Sequence, residues 1–176
     1  KKNFYVFDFC QNLEFFGQDA PAVEAPIADG LSARLFKTRL DLVGALDARA
    51  AAGGPGDPAA EAALRAEVAE SLRGEVAAMN VENFLVRPRR ALVERYAGSQ
   101  AWAALDEEAR RRLGDEVAGL PSEREPEGVE AKAFDLLMLR LQLCVLGRAT
   151  GYAGLRRRAV ETAAVLEERS NIPAIR

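Results

Sequence analysis

The stretch "FDLLMLRLQLCVL", residues 134–146, decides the fold that this sequence predicts. Apolar side chains occupy nearly every position in it, so that a helix over about 126–148 is apolar on nearly every face. A helix of that kind belongs in the middle of a bundle. We therefore expect it to be the central element, and three of its residues to be deeply buried: Leu137, Leu141 and Val145.

The rest of the chain carries the spacing and the capping signals of further helices. Apolar residues at intervals of three and four predict helices over 32–49, 58–79 and 152–168. Asp57 and Pro58 form a helix start after the flexible stretch "AAAGGPGDP", residues 50–58. Shorter helices are expected over 88–96 and after the caps Ser99 and Asp106. The fold class is mainly α, an irregular bundle of about five to seven helices.

The first sixteen residues, "KKNFYVFDFCQNLEFF", differ from everything that follows. They contain five of the eight Phe residues of the chain. Residues 3–9 fit a short strand buried on both faces, which cannot be stable without a partner strand. We expect this aromatic segment to pack across the helical body or to pair with a second copy of the chain. Residues 17–30 contain Gly and Pro and are interpreted as a connector.

Composition narrows the classes of function. The net charge of −3 argues against a protein that coats nucleic acid, although a local basic patch stays open. The absence of His excludes Ser-His and Cys-His nucleophiles and His-ligated metals. Cys10 and Cys144 are expected to be two separate buried thiols. We expect no signal peptide, and no apolar run in the sequence is long enough to span a bilayer, so the chain is expected to be soluble and cytoplasmic.

No phosphate-binding loop, dinucleotide fingerprint or metal-ligand spacing occurs in the sequence. We therefore expect no catalytic, cofactor-binding or metal-binding residue in this chain, and neither ATPase nor nuclease activity. Three arginine clusters, 87/89/90, 110–112 and 156–158, are either solvated helix faces with Glu partners or contacts to phosphate. Trp102, the only Trp, is expected to be a packing anchor.

One structural pair is predicted from charge burial. Asp135 lies in the most apolar helix, and Arg87 directly follows the apolar loop 80–86. A buried carboxylate needs a partner, and the planar guanidinium of Arg satisfies both of its oxygens. We expect an Arg87–Asp135 ion pair; the alternative is that Asp135 faces water, with Lys132 or Arg140 nearby.

Four segments occur in an order and at separations that resemble a known family: "NFYVFDFCQNLEFF" (3–16), "NFLVRPRRALVERY" (83–96), "FDLLMLRLQL" (134–143) and "LEERSNIPAI" (166–175). Together they resemble the C-terminal part of the motor (R) subunit of type I restriction enzymes and related DEAD/DEAH-type helicases. The resemblance implies that residues 1–28 are the end of a second RecA-like motor lobe plus a connector. It implies that residues 29–176 are a C-terminal helical domain. Seven Phe residues of the chain are candidates for positions in the core or at an interface: Phe4, Phe7, Phe9, Phe15, Phe16, Phe84 and Phe134.

The same resemblance implies a function by assembly. An intact R subunit would bind ATP and Mg²⁺, translocate DNA and cut it, through motifs that lie upstream of the residues matched here. This chain is expected to dock the motor to the methyltransferase and specificity subunits, without catalysis of its own. The alternative is a DNA-contacting helical domain that guides the translocated duplex along an arginine-lined face. A stand-alone helical regulator is a third interpretation.

Overall fold

The structure, a computed structural model, describes residues 29–53, 55–125 and 127–168, with side chains to residue 165. This part of the chain is mainly helical, which confirms the predicted fold class. Six α-helices follow one another within these ranges: α1 Leu31–Ala52, α2 Pro58–Ala77, α3 Arg90–Ala97, α4 Glu107–Glu116, α5 Val129–Val145 and α6 Tyr152–Glu168. Short 3₁₀ turns at Arg87–Arg89 and Ser99–Trp102 flank α3. The predicted strand over residues 3–9 and all five Phe residues of the segment 1–16 lie outside the described residues.

The break between α1 and α2 falls within the predicted stretch 50–58, although α1 continues to Ala52, beyond its predicted end at residue 49. Gly53 follows α1 with φ 63°, in the left-handed region that Gly adopts most readily. The Asp57 carboxylate then accepts hydrogen bonds from the amides of Ala59 and Ala60, at 2.9 and 3.3 Å, and Pro58 is the first residue of α2. Each of these residues favours the end of one helix or the start of the next through its own backbone conformation or a hydrogen bond to nearby amides, so the sequence indicates this boundary.

Helix α1 is the centre of the bundle. It packs against α2, α4 and α5, and the side chains of Phe36, Leu42 and Val43 are fully buried. Ion pairs between opposite ends of α1 and α2 show that these two helices run antiparallel: Asp47 contacts Arg65, and Arg39 contacts Glu75. Helix α3 packs against α2 and the two 3₁₀ turns, and its buried side chains Leu92, Val93 and Tyr96 belong to the same core.

The prediction that α5 is the central helix is wrong. Only one face of α5 is buried, and it carries Leu136, Leu137, Leu139 and Leu143. Leu137 is buried as predicted, but Leu141 is half-buried and Val145 is 65% exposed. The reason is the position of α5 between α1 and α6, which leaves its outer side open to solvent. Apolar residues on every face of a helix therefore do not show how many other helices pack against it.

Helix α6 lies at the edge of the bundle and packs against α5. Within 152–165, Leu155 and Ala159 are half-buried and every other residue is exposed, including Tyr152, Val160 and Val165. None of the helices in the described ranges has the length and the apolarity that a membrane span requires.

A small aromatic cluster fixes the 3₁₀ turn after α3. Trp102 is buried, and its indole N–H donates to the carbonyl oxygen of Tyr96 at 2.7 Å. The two rings meet edge to face, with centroids 5.5 Å apart. This geometry is favourable for aromatic pairs and satisfies the indole donor, which confirms that Trp102 is a packing anchor.

Candidate functional site

A charged cleft of about 320 Å³ lies between α1, α2, the start of α5 and the loop that precedes α5. Arg39 of α1 lines it, with 12% of its side chain exposed. Its guanidinium nitrogens are 3.6 Å from a Glu75 carboxylate oxygen and 3.5 Å from an Asp135 carboxylate oxygen. Lys132 donates to the Ser32 hydroxyl at 3.0 Å nearby. The two Arg39 contacts join α1, α2 and α5 through one guanidinium group.

Burial sets the protonation behaviour of Glu75. Loss of solvent raises the pKa of this carboxyl group above its usual value, and the positive charges of Arg39, Arg124 and Lys132 offset only part of the rise. Desolvation therefore outweighs the ion pair at this position. Cations and carboxylates both line the cleft, so its charges largely neutralise one another. The arrangement is that of an ion network that holds helices together.

The predicted Arg87–Asp135 pair is wrong. Asp135 contacts Arg39, and Arg87 is exposed in the 3₁₀ turn before α3, with no ion pair to Asp135. Packing of α5 along α1 brings Asp135 to Arg39, whereas the turn that contains Arg87 packs against α3. The Asp135 side chain is 48% exposed, so it is not the buried carboxylate that the prediction assumed, and the register between helices decided which arginine it meets.

The loop 80–86 presents a large aromatic side chain to solvent. Phe84 is 79% exposed and Leu85 is 51% exposed, whereas Val86 next to them is fully buried. The loop is nevertheless well ordered by hydrogen bonds. Asn80 and Asn83 each accept a bond from the amide two residues further on, at 3.0 and 2.9 Å. The Asn83 carbonyl oxygen also accepts from the amides of Val86 and Arg87, at 3.0 and 2.8 Å.

This loop is also fastened to the segment before α5. The Asn80 side-chain amide donates to Glu123 at 3.0 Å, and the Glu123 backbone amide donates to the Ala78 carbonyl oxygen at 2.8 Å. The exposure of Phe84 is therefore a property of a rigid loop. A preorganised aromatic side chain on the surface is the kind of group that anchors protein–protein interfaces.

Two of the three arginine clusters are largely neutralised by carboxylates. Arg90 contacts Glu94 at 2.7 Å and Glu82 at 3.2 Å, and Arg89 contacts Glu116 at 3.1 Å. In the second cluster, Arg111 and Arg112 have carboxylate partners four residues further on, at 4.0 and 3.2 Å. Arg110 lies over Gly44 and donates to the Leu105 carbonyl oxygen at 2.6 Å. For these two clusters the solvated-face interpretation fits best.

The third cluster, 156–158, is different. Among the described side chains its one ion pair is Arg157–Glu161, at 3.9 Å. The turn between α5 and α6 brings Arg157 and Arg158 to a cleft of about 600 Å³ that Arg140 of α5 also lines. The sequence marked 156–158 as a cluster, but nothing in it indicated that Arg140 would join.

The remaining candidate residues do not form a site with one another. Phe134 is half-buried in α5, whereas Phe84 is exposed on the loop 80–86. Cys144 is half-buried, and its thiol donates to the Thr150 carbonyl oxygen at 3.4 Å; Cys10 lies outside the described residues. Within 29–53, 55–125 and 127–168, no three Cys, Asp or Glu side chains are grouped to hold a metal ion.

Comparisons of this chain with protein-family models, with curated proteins and with solved structures found no match. The resemblance to restriction-enzyme motor subunits therefore rests on the sequence segments alone.

Proposed function

We propose that this chain is a non-catalytic helical docking module. In the setting that the sequence resemblance suggests, it joins a type I restriction motor to the methyltransferase and specificity subunits. ATP, Mg²⁺ and the nuclease chemistry then belong to other parts of the same protein. The setting would be the cytoplasm, where such complexes meet DNA.

The observation that carries this proposal is the exposure of Phe84 on a loop held in place by hydrogen bonds. Leaving a large aromatic side chain in water forgoes about 1.5–3 kcal/mol of burial free energy, which a partner surface would recover. A rigid loop loses little conformational entropy on binding, so more of that free energy appears as affinity. The exposed Leu85 beside it enlarges the apolar contact.

The test is binding of the 176-residue chain to the reconstituted methyltransferase–specificity complex of the same organism, measured by biolayer interferometry. Phe84→Ala should weaken binding by about 30-fold, the effect of losing about 2 kcal/mol at an interface anchor. Val160→Ala is the matched control, because Val160 is also exposed and apolar but lies on α6. It should leave binding unchanged if Phe84 is the anchor.

Both variants should keep the fold, since neither side chain is buried; circular dichroism and the unfolding midpoint would verify this. No binding of the wild-type chain would overturn the proposed partner. Equal affinity of the wild-type chain and Phe84→Ala would overturn the role of the loop.

A further inference from the structure

We propose that the cleft at the turn between α5 and α6 is the docking site of a segment of the same chain, residues 3–16. Aromatic side chains of this segment enter the cleft, and the carboxylates of Asp8 and Glu14 meet the arginines that line it. The segment lies outside the described residues, so the proposal rests on the structure of the cleft and on the sequence of the segment. It involves neither the Phe84 loop nor a partner protein, and is therefore independent of the proposed docking function.

The cleft has the size and the lining of a site that takes an apolar group together with a charge. Its volume is about 600 Å³, and most of its lining is apolar. Leu155 in its wall is half-buried, and Gly151 and Gly154 have open space where a side chain would stand. Pockets that bind ligands have similar volumes, are mostly apolar and carry a few charged groups. Aromatic side chains therefore fit this cleft better than a purely polar ligand does.

The charged part of the lining consists of Arg140 from α5 and of Arg157 and Arg158 from α6. Arg140 and Arg158 have no ion pair among the described side chains. Arg157 is 77% exposed, and its contact with Glu161 is 3.9 Å long. A guanidinium group binds both oxygens of a carboxylate and also stacks on aromatic rings. These arginines therefore favour an occupant that carries carboxylates beside aromatic rings.

The helices that form the cleft also expose most of the apolar surface in the described part of the chain. Large apolar side chains are exposed there at eight positions, and six of these lie on α5 and α6: Val129, Met138, Val145, Tyr152, Val160 and Val165. Val145 and Tyr152 flank the turn itself and are 65% and 48% exposed. Contact between such side chains and the rings of a docked segment removes apolar surface from water, which stabilises the docked state.

The segment 3–16 carries the groups that this surface requires. It contains five of the eight Phe and one of the three Tyr residues of the chain. Residues 3–28 contain four acidic residues and neither Lys nor Arg, whereas residues 136–160 contain five arginines and neither Asp nor Glu. Opposite charges guide two surfaces to each other and fix their register, whereas like charges oppose contact. The match favours this segment over the α5–α6 surface of a second copy, which has the same positive sign.

The connection between the segment and the helical bundle is long enough. Lys132 in the first turns of α5 donates to the Ser32 hydroxyl at 3.0 Å, so α1 and α5 begin side by side. The chain therefore enters the bundle at one end of α5, and the cleft lies at the other end. From Lys132 to Val145, α5 rises about 20 Å. Residues 17–28 span up to about 40 Å when extended, which is sufficient to bring the segment to the cleft.

The two cysteines of the chain test this contact directly. Cys10 belongs to the segment, and the Cys144 thiol is 3.4 Å from the carbonyl oxygen of Thr150, which lines the cleft. A short bismaleimide, which joins two thiols, should link Cys10 to Cys144 within one 176-residue chain, as identified by mass spectrometry of the linked peptides. Thr150→Cys adds an exposed second attachment point in case the half-buried Cys144 reacts slowly.

Absence of a link from Cys10 to both positions would overturn the proposal. A link found only between two chains, seen as a covalent dimer on a denaturing gel, would also overturn it, because a second copy would then supply the segment. Cys144→Ser is the control for the wild-type chain and should remove the Cys10–Cys144 link.

Charge reversal in the full chain tests the role of the arginines, with amide hydrogen exchange of residues 3–16 as the measurement. Asp8→Lys/Glu14→Lys should speed this exchange by about tenfold, the effect of losing two partly exposed ion pairs. Combination with Arg157→Glu/Arg158→Glu should restore most of the protection, because the charges are then exchanged between segment and cleft.

Combination with Arg111→Glu/Arg112→Glu is the matched control, since it reverses the same number of exposed charges in the second cluster. It should not restore protection. Equal recovery in both combinations would show that overall charge governs the exchange and would overturn the proposal. Unprotected amides over residues 3–16 in the wild-type chain would overturn it as well.

Discussion

The guanidinium group of Arg65 in α2 binds both carboxylate oxygens of Asp47 in α1. Arg65 Nε lies 2.9 Å from Asp47 Oδ1, and Nη2 lies 3.2 Å from Oδ2. A third nitrogen donates to the Trp102 carbonyl oxygen at 2.6 Å. One side chain thus fixes the antiparallel pairing of α1 and α2 and attaches the 3₁₀ turn that contains Trp102.

Arg65→Lys should destabilise the fold although it keeps the charge. An ammonium group cannot form the two parallel bonds to Asp47 and still reach the Trp102 carbonyl oxygen. Because Asp47 is partly exposed, we expect a loss of about 1–3 kcal/mol in the free energy of unfolding, measured in urea. Arg90→Lys, at a surface ion pair, is the control and should change stability by less than about 0.5 kcal/mol. Equal effects at both positions would contradict this role for Arg65.

Two identical substitutions test which helix is central. Leu42 in α1 is fully buried, whereas Leu141 in α5 is half-buried. Leu42→Ala should cost about 2–5 kcal/mol, because it removes buried methyl groups and leaves a cavity. Leu141→Ala should cost clearly less, because solvent already reaches its side chain. Chemical denaturation of both variants gives the comparison, and a larger cost at Leu141 would restore α5 as the centre.

Asp57→Ala should weaken the start of α2. The substitution leaves the amides of Ala59 and Ala60 without their side-chain acceptor, and should cost about 1 kcal/mol of stability. Asp57→Asn is the control, because the Asn side-chain oxygen can accept the same bonds. Thermal unfolding followed by circular dichroism would measure both. A loss in the Asn variant as large as in the Ala variant would show that the charge, and not the cap, matters.

Glu75 should make stability depend on pH. Because burial raises the pKa of Glu75 in the folded state, the folded chain still holds the Glu75 proton at pH values at which the unfolded chain has released it. The contribution of Glu75 to the free energy of unfolding should therefore fall as the pH rises from the ordinary Glu value, near 4.5, through the raised folded value. Glu75→Gln should lack this fall, so that its stability relative to wild type increases over that range.

The measurement is urea denaturation of both proteins between pH 4 and 7, plotted as the difference between them. Glu161→Gln is the control, because the Glu161 side chain is 66% exposed on α6. A difference between wild type and Glu75→Gln that stays constant with pH would contradict the raised pKa.

Two helix starts, at Asp57 and Asp106, could be read from the sequence because the forces that set them are local, whereas the predicted cap Ser99 lies inside a 3₁₀ turn that follows Gly98. Asp57 and Pro58 start α2, Gly53 follows α1, and Asp106 caps α4 through residues that are neighbours in the chain. Hydrogen bonds to the first amides and the left-handed φ of Gly depend only on a few consecutive residues. The mainly helical fold class follows from the same short-range patterns.

The arrangement of those helices was decided by tertiary structure. The most apolar helix, α5, is open to solvent at Val145, and α1 takes the centre because α2, α4 and α5 cover it. Asp135 meets Arg39, which is 96 residues away in the chain, because two helices pack in one particular register. Periodicity shows which residues share a face of one helix, but not which other helix that face meets.

For the candidate sites too, the sequence determined some features and the tertiary structure decided others. The sequence by itself determined where the arginines stand in the chain and that Phe84 lies in the loop 80–86. Whether Arg89 finds Glu116, or Arg140 meets Arg157 across a turn, depends on contacts between segments that are distant in sequence. The clusters 110–112 and 156–158 are both runs of three arginines, yet the described side chains give the second run only one ion pair, Arg157–Glu161, and only three-dimensional packing separates the two. The physical reason is that charge pairing and solvent exposure are properties of neighbouring groups in space, whereas sequence reports neighbours along the chain.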